Sequence, residues 1–257
     1  MKMDWKNPVV IVSGLMVVII SVLFEPVIFG GKTFGSPDSL SPKAIGIALN
    51  DLSEKSGELP QWQPWVFSGM PSAEAFTNIS KLYFPEYLFK LFFLPGMLIQ
   101  LFHLLFAGIG AFLLLRHFKC SDWAAGLGAI AFMITPYMVT MVVFGHGSQM
   151  MTAAYIPWVF WLTVRLYQNT NFSDTGWLAV LLGFQLQRGH AQIAYYTWML
   201  IGAYSLLMLI TGLRNSDEKA NTGKGFGYFI LACLIGVGIS LIIFLPAMDY
   251  TPFSIRG

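Results

Sequence analysis

Charged residues are scarce in this chain of 257 residues, at 11% of the sequence, whereas hydrophobic residues make up 56%. Soluble domains carry about 25% charged residues, so this composition excludes an ordinary soluble domain and indicates an integral membrane protein. The net charge of +2 is too small and too scattered for a nucleic-acid-binding protein. The two cysteines, Cys120 and Cys233, form no disulfide or metal-binding pattern. We therefore expect membrane lipids as partners and no nucleic acid.

Long apolar windows predict an all-α fold: a polytopic transmembrane helical bundle with six or seven spans in one domain, residues 1–257. The predicted spans are residues 8–29, 95–115, 123–144, 150–167, 172–187 (short), 191–211 and 228–245. The first apolar run continues for about 20 residues without a small-x-small cleavage site, so we expect an uncleaved helix rather than a signal peptide.

The basic residues of the short loops predict that the N-terminus lies in the cytoplasm. The residues that this orientation places in the cytoplasm are Lys2, Lys6, Arg116, Lys119 and Arg165. The long loop 31–94 and the short loop 145–149 then lie outside.

The polar stretch LGFQLQRGHAQIAYYTW (Leu182–Trp198) interrupts a long apolar run. A continuous helix over this run, about 37 residues, would be about 55 Å long and nearly twice the hydrocarbon thickness. We therefore expect a break at Arg188-Gly189, with either a short or a half-membrane helix before it. Arg188 either snorkels to the headgroups or faces a polar cavity. Because His190 and Gln192 lie beside it, the sequence favours the cavity.

The long external loop contains SPKAIGIALNDLSEKSG, which predicts a short amphipathic helix on the membrane surface. Ser41 is its expected N-cap, Pro42 its first residue and Gly57 its stop signal. A second short helix is expected in PEYLFKLFFLPG. Between the two, Trp62 and Trp65 either anchor the loop at the membrane interface or form the wall of a substrate groove.

Several polar side chains share the external face with Arg188 and His190. Asp38 follows the first span and is either a turn residue after a proline or a functional carboxylate. The loop FGHGSQMM adds Gln149 and His146, and His146 is either an ordinary loop histidine or part of a site. This collection of polar groups at span ends indicates binding or chemistry at the outer surface.

Five motifs run along the chain: SPDS, PQWQPWVFSGMPS, GHGSQMMTAAYIPW, LQRGHAQIAYY and FLPAMDYTP. Together they resemble the YfhO family of bacterial membrane proteins, polytopic members of the GT-C class of glycosyltransferases. The resemblance covers essentially the whole chain and implies a GT-C-like fold in a bacterial cytoplasmic membrane. Members of this family are typically longer, so we expect the chain to be an N-terminal portion.

The resemblance implies transfer of a sugar from a lipid-phosphate donor to a cell-envelope acceptor on the external face. By position, Asp38 matches the catalytic base of that class, since a carboxylate can deprotonate an acceptor hydroxyl. The residues then expected to bind substrate are Arg188, His190, Gln192, His146, Gln149, Trp62 and Trp65. Nothing in the sequence fixes a metal site, so a divalent-metal cofactor stays open. The alternatives are a transporter or flippase subunit and a non-catalytic membrane scaffold.

Overall fold

The structure is a computed structural model that describes residues 7–58, 60–66, 68–72, 82–94, 96–214 and 219–253. Over these residues the chain is mostly helical, which confirms the all-α prediction. The helices are α1 (Pro8–Leu23), α2 (Glu25–Ile28), α3 (Pro37–Ser56), α4 (Phe84–Leu91), α5 (Gly96–His117), α6 (Asp122–Met133), α7 (Pro136–Val143), α8 (Gly147–Ala154), α9 (Ile156–Gln168), α10 (Phe172–Gln187), α11 (Ala191–Arg214) and α12 (Lys219–Tyr250). A 3-10 helix, Thr251–Phe253, follows α12, and two short antiparallel strands pair Trp62–Gln63 with Met70–Pro71.

Four helical segments in the described part of the chain are long and apolar enough to cross a membrane. They are Gly96–His117, Asp122–Val143, Ala191–Arg214 and Asn221–Phe253. Helix α1 is also apolar but has 16 residues, which is about 24 Å at 1.5 Å per residue. These helices are consistent with a membrane protein, while the number of spans, six or seven, stays a prediction.

Prolines divide three of the predicted spans into successive helices. Pro26 lies in the first turn of α2, Pro136 in that of α7 and Pro157 in that of α9. Proline donates no backbone hydrogen bond and clashes with the preceding turn, so it is best tolerated in the first turn of a helix. At these three positions one helix ends before the proline and another begins at it or one residue earlier. The predicted span 150–167 is thus formed from parts of two helices, α8 and α9, and its crossing of the membrane stays a prediction.

Helix α3 begins earlier in the external loop than the sequence predicts. Its N-cap is Ser36 and its first residue is Pro37, so the predicted N-cap at Ser41 is wrong. The predicted end is confirmed, because Gly57 caps the helix with a left-handed φ of 75°. The earlier start places Asp38 in the first helical turn, where the helix dipole favours a negative charge.

Small residues allow the helices to approach closely. A Cβ added to Gly183 of α10 would lie 2.7 Å from the Cβ of Ile239 in α12. A Cβ on Gly110 of α5 would lie 2.4 Å from the indole of Trp158 in α9. Helices in membranes associate through such close packing rather than through the hydrophobic effect.

The bundle has two ends, which are defined by the connections between helices. We call the end with the α10–α11 connection, residues 188–190, the junction end. The predicted break at Arg188-Gly189 is confirmed there, because α10 ends at Gln187 and Gly189 has a φ of 70°. The end with the α9–α10 connection, residues 169–171, we call the opposite end.

Candidate functional site

Two of the predicted site residues meet at the junction end. The Asp38 carboxylate, from the first turn of α3, lies 3.4 Å from Nε2 of His146, which precedes α8. Both side chains are exposed, at 64% for Asp38 and 47% for His146. The pair is therefore open to a ligand from outside the bundle.

His190 lies close enough to His146 for the two rings to influence each other electrostatically. Partial burial lowers the pKa of His190 below its ordinary value of 6.5, and the neighbouring His146 lowers it further. His190 precedes α11 directly, so the α10–α11 connection brings it beside the start of α8. The structure thus groups Asp38, His146 and His190, which the sequence placed on one face.

Arg188 points into the protein rather than toward a membrane surface. Its exposed fraction is 8%, and its guanidinium lies 4.6 Å from the ring centroid of Tyr83. A cation over an aromatic face is attracted to it, more strongly where water is excluded. A snorkelling arginine would have an exposed head, so this geometry favours a protein-lined environment for Arg188.

Tyr83 belongs to a buried group of polar side chains below the guanidinium. Its hydroxyl lies 2.7 Å from Nε2 of His103 and also bonds the Tyr155 hydroxyl. On the other side of the imidazole, Nδ1 of His103 lies 2.7 Å from the carbonyl oxygen of Ile99. We call Tyr83, His103 and Tyr155 the buried relay.

The partners of His103 assign the direction of the bonds in the buried relay. A carbonyl oxygen only accepts, so Nδ1 carries a proton and donates to Ile99. In a neutral ring Nε2 is then an acceptor, so the Tyr83 hydroxyl donates to it and accepts from Tyr155. Burial raises the pKa of Tyr83 well above its ordinary range, which keeps this hydroxyl protonated. The relay therefore forms a directed chain of three hydrogen bonds.

Glutamines hold the surrounding helices together. Oε1 of Gln187 accepts from the backbone N–H of Phe84 at 3.2 Å, and its Nε2 donates to Ile239 at 3.0 Å. These bonds tie the start of α4 to α10 and α12. Nε2 of Gln185 donates to the Thr152 carbonyl oxygen and to Oγ1 of Thr197. The position of Arg188, one residue beyond Gln187, is thereby fixed.

A cavity of about 260 Å³ lies beside the buried relay. Tyr83, His103 and Tyr155 contribute its polar groups, and phenylalanines and Leu181 form most of the remaining wall. An apolar cavity with a few convergent polar groups is the usual form of a small-molecule or lipid site.

The other predicted site residues lie apart from these groups or bond to near neighbours. Nε2 of Gln192 donates to the Tyr196 hydroxyl one turn along α11, and Nε2 of Gln149 donates to that of Tyr137. Trp62 and Trp65 are half exposed, and the Trp62 indole lies against Gly69, just before the second strand. The structure shows no contact of either tryptophan with the Asp38–His146 pair among the described residues.

Within the described ranges, no three His, Cys, Asp or Glu side chains come together as a metal site would require.

Comparisons of the chain with known protein families, with characterised proteins and with solved structures gave no match.

Sequence reasoning missed the buried relay and Gln100. His103 could have been found from the sequence, because an ionisable residue within an apolar span is a functional candidate by default. Tyr83 and Tyr155 could not, since tyrosines are common at membrane interfaces and do not by themselves indicate a site. The Gln100 side chain lies against Gly147, next to His146, and its buried Oε1 has no hydrogen-bond partner in the described part of the chain.

Proposed function

We propose that the protein is a glycosyltransferase of the GT-C type, or the N-terminal part of one. It moves a sugar from a lipid-linked sugar phosphate to a cell-envelope acceptor. The observation that carries the proposal is the contact of a carboxylate, Asp38, with His146 at the end of the bundle where Arg188 is buried and His190 lies near His146. The sequence motifs that resemble the YfhO family contain all four residues.

Asp38 is the proposed catalytic base. Its carboxylate takes the proton of an acceptor hydroxyl, and the acceptor oxygen attacks the anomeric carbon of the sugar. The bond between that carbon and the phosphate oxygen breaks, and the lipid phosphate leaves with the electron pair. His146, 3.4 Å from Asp38, orients the carboxylate toward the acceptor.

Arg188 is the proposed ligand of the donor phosphate. A guanidinium offers five N–H donors in a planar fork that matches phosphate oxygens, and it stays charged when buried. Contact with the Tyr83 ring and the neighbouring bonds of Gln187 hold it in place before a ligand arrives. Interactions with a leaving phosphate are strongest where water is excluded, as at this 8% exposed residue.

The proposed location is a bacterial cytoplasmic membrane, and the proposed orientation has the junction end outside. The protein lies in a bacterial cytoplasmic membrane as a multi-pass protein, with its N-terminus in the cytoplasm and the junction end outside. The basic residues of the opposite end, including Arg116 and Arg214, support this orientation through the positive-inside rule.

The buried polar groups favour the transferase over a flippase or transporter. In the described part of the bundle, the Gln185 side chain donates to the backbone carbonyl of Thr152 and to the hydroxyl of Thr197. Polar groups that line a permeation path face water or the transported molecule instead. The Gln185 side chain therefore acts as a link between α8, α10 and α11.

Donor binding tests the proposal. The probe is a short prenyl phosphate, because the sugar is not identified, and prenyl alcohol serves as the phosphate-free comparison. Arg188→Ala should weaken prenyl phosphate binding by about 2–5 kcal/mol, and Arg188→Lys should restore only part of it, since the planar fork is lost.

Arg214→Ala is the matched control, because Arg214 is exposed at the opposite end. It should leave binding unchanged, and binding of prenyl alcohol should not respond to any of these substitutions. Wild-type affinity for prenyl phosphate in Arg188→Ala would place the donor phosphate elsewhere.

A further inference from the structure

A second cavity, of about 420 Å³, lies at the opposite end of the bundle, away from Asp38 and Arg188. Three tryptophans, Trp158, Trp161 and Trp177, form much of its wall, and Arg165 contributes a charge. Tryptophans concentrate where the hydrocarbon of a bilayer meets the headgroups. The composition of this cavity therefore fits the depth of lipid headgroups.

Arg165 is fixed at this cavity with donors to spare. Its Nη2 lies 3.0 Å from Oδ1 of Asp174, and its Nε lies 3.2 Å from Oδ2. The guanidinium also lies 4.8 Å from the ring centroid of Trp161. Binding Asp174 in this way uses two of its five N–H groups and leaves three for a ligand.

The two members of this ion pair differ in accessibility. The Arg165 side chain is 36% exposed, whereas that of Asp174 is 6% exposed and also accepts from Nδ2 of Asn171 at 3.0 Å. Both residues line the cavity, and the guanidinium is the more accessible of the two to a ligand. This arrangement selects an anionic group and offers little to a cationic one.

This cavity lies next to the cavity beside the buried relay, and we call the apolar surface that runs along both of them the groove. The two cavities share Phe106 and Leu181, and Trp158 stacks on Phe106 at 4.8 Å between ring centroids. From Asp174 to Phe184, α10 rises about 15 Å, half the thickness of the hydrocarbon core. The groove thus has the length of one membrane leaflet.

We propose that this groove binds one anionic phospholipid. The headgroup phosphate accepts hydrogen bonds from Arg165, and one acyl chain lies along Trp158, Phe106 and Leu181. A guanidinium at headgroup depth and an apolar groove one leaflet long together match the two parts of a phospholipid. This lipid site is separate from the proposed donor site, so an experiment can refute one of the two proposals and leave the other standing.

Native mass spectrometry of the protein in mild detergent tests the proposal, with phosphatidylglycerol and phosphatidylcholine titrated in turn. We expect the wild type to retain one phosphatidylglycerol at least tenfold more tightly than phosphatidylcholine. Arg165→Gln should lower that affinity at least tenfold. Arg116→Gln should not lower it, although it removes the same charge at the same end from an arginine of similar exposure, 40%, which pairs with Asp122.

Leu181→Trp provides a second variant that leaves the Arg165–Asp174 pair intact and fills the groove where the two cavities join. It should also lower phosphatidylglycerol affinity at least tenfold. The proposal is overturned if Leu181→Trp and Arg165→Gln both retain the lipid as the wild type does, or if the two lipids bind equally. Displacement of the lipid by free glycerol phosphate at equal concentration would show that the site binds phosphate and not the acyl chain. That result would also overturn the proposal.

Discussion

Tyr83→Phe removes one oxygen atom from the buried relay and leaves the aromatic ring in place. That hydroxyl bonds Nε2 of His103 at 2.7 Å and the hydroxyl of Tyr155. Each buried polar group that loses its partner costs about 1–3 kcal/mol, and two groups lose theirs here. We therefore expect the free energy of unfolding to fall by about 2–6 kcal/mol, while the ring keeps its contact with Arg188.

The assay is equilibrium unfolding in bicelles, and Tyr195→Phe is its control. Tyr195 is 62% exposed, so loss of its hydroxyl should change the free energy of unfolding by less than about 0.5 kcal/mol. A double-mutant cycle then isolates the bond between the two relay tyrosines. Tyr83→Phe combined with Tyr155→Phe should cost less than the two separate losses added, by about 0.6–1.7 kcal/mol. Strictly additive losses, or a Tyr83→Phe cost as small as the control, would refute the relay.

Three further predictions concern orientation, packing and pH. In intact cells, Ser56→Cys should react with an impermeant thiol reagent while the exposed native Cys120 should not, and the reverse pattern would invert the orientation. Gly110→Ala should destabilise the protein by about 1–3 kcal/mol, because the added Cβ would meet a tryptophan ring of α9. Gly14→Ala is the control: its added Cβ meets no other atom, so it should stabilise the protein by about 0.5–1 kcal/mol. Equal changes in the free energy of unfolding of the two variants would contradict this packing. Because the folded pKa of His190 lies below 6.5, the unfolded state binds the extra proton, and stability should fall as pH drops below that value. A His190→Gln variant should show a shallower fall between pH 7 and 5, and an unchanged fall would contradict the assignment.

The sequence could predict those features that local backbone chemistry decides. Proline and glycine act within a few residues, so the end of α3 at Gly57 and the break at Arg188-Gly189 follow from the sequence. Pro157 is a further local signal: it lies in the first turn of α9 and so marks a helix boundary within residues 150–167. Hydrophobicity alone identified the apolar run there but could not reveal its internal break.

Contacts between distant residues were beyond sequence reasoning. A shared membrane face allowed Asp38, His146 and His190 to be grouped. The 3.4 Å pair depends on how close the first turn of α3 comes to His146, which the sequence does not specify. The inward direction of Arg188 depends on Tyr83, which reaches the site from a loop. Periodicity describes which face of a helix a residue occupies and carries no information on its partner in another element.

The most direct test of the central claim is sugar transfer by Asp38→Asn. Membranes that contain the protein and its native acceptors would be supplied with radiolabelled prenyl-phosphate hexoses, and label in the acceptors would be measured. Asp51→Asn is the matched control, since Asp51 lies on the same helix and is exposed in a pair with Lys55. We expect Asp38→Asn to abolish transfer and keep prenyl phosphate binding, and Asp51→Asn to transfer normally. Transfer at the wild-type rate in Asp38→Asn would contradict the central claim.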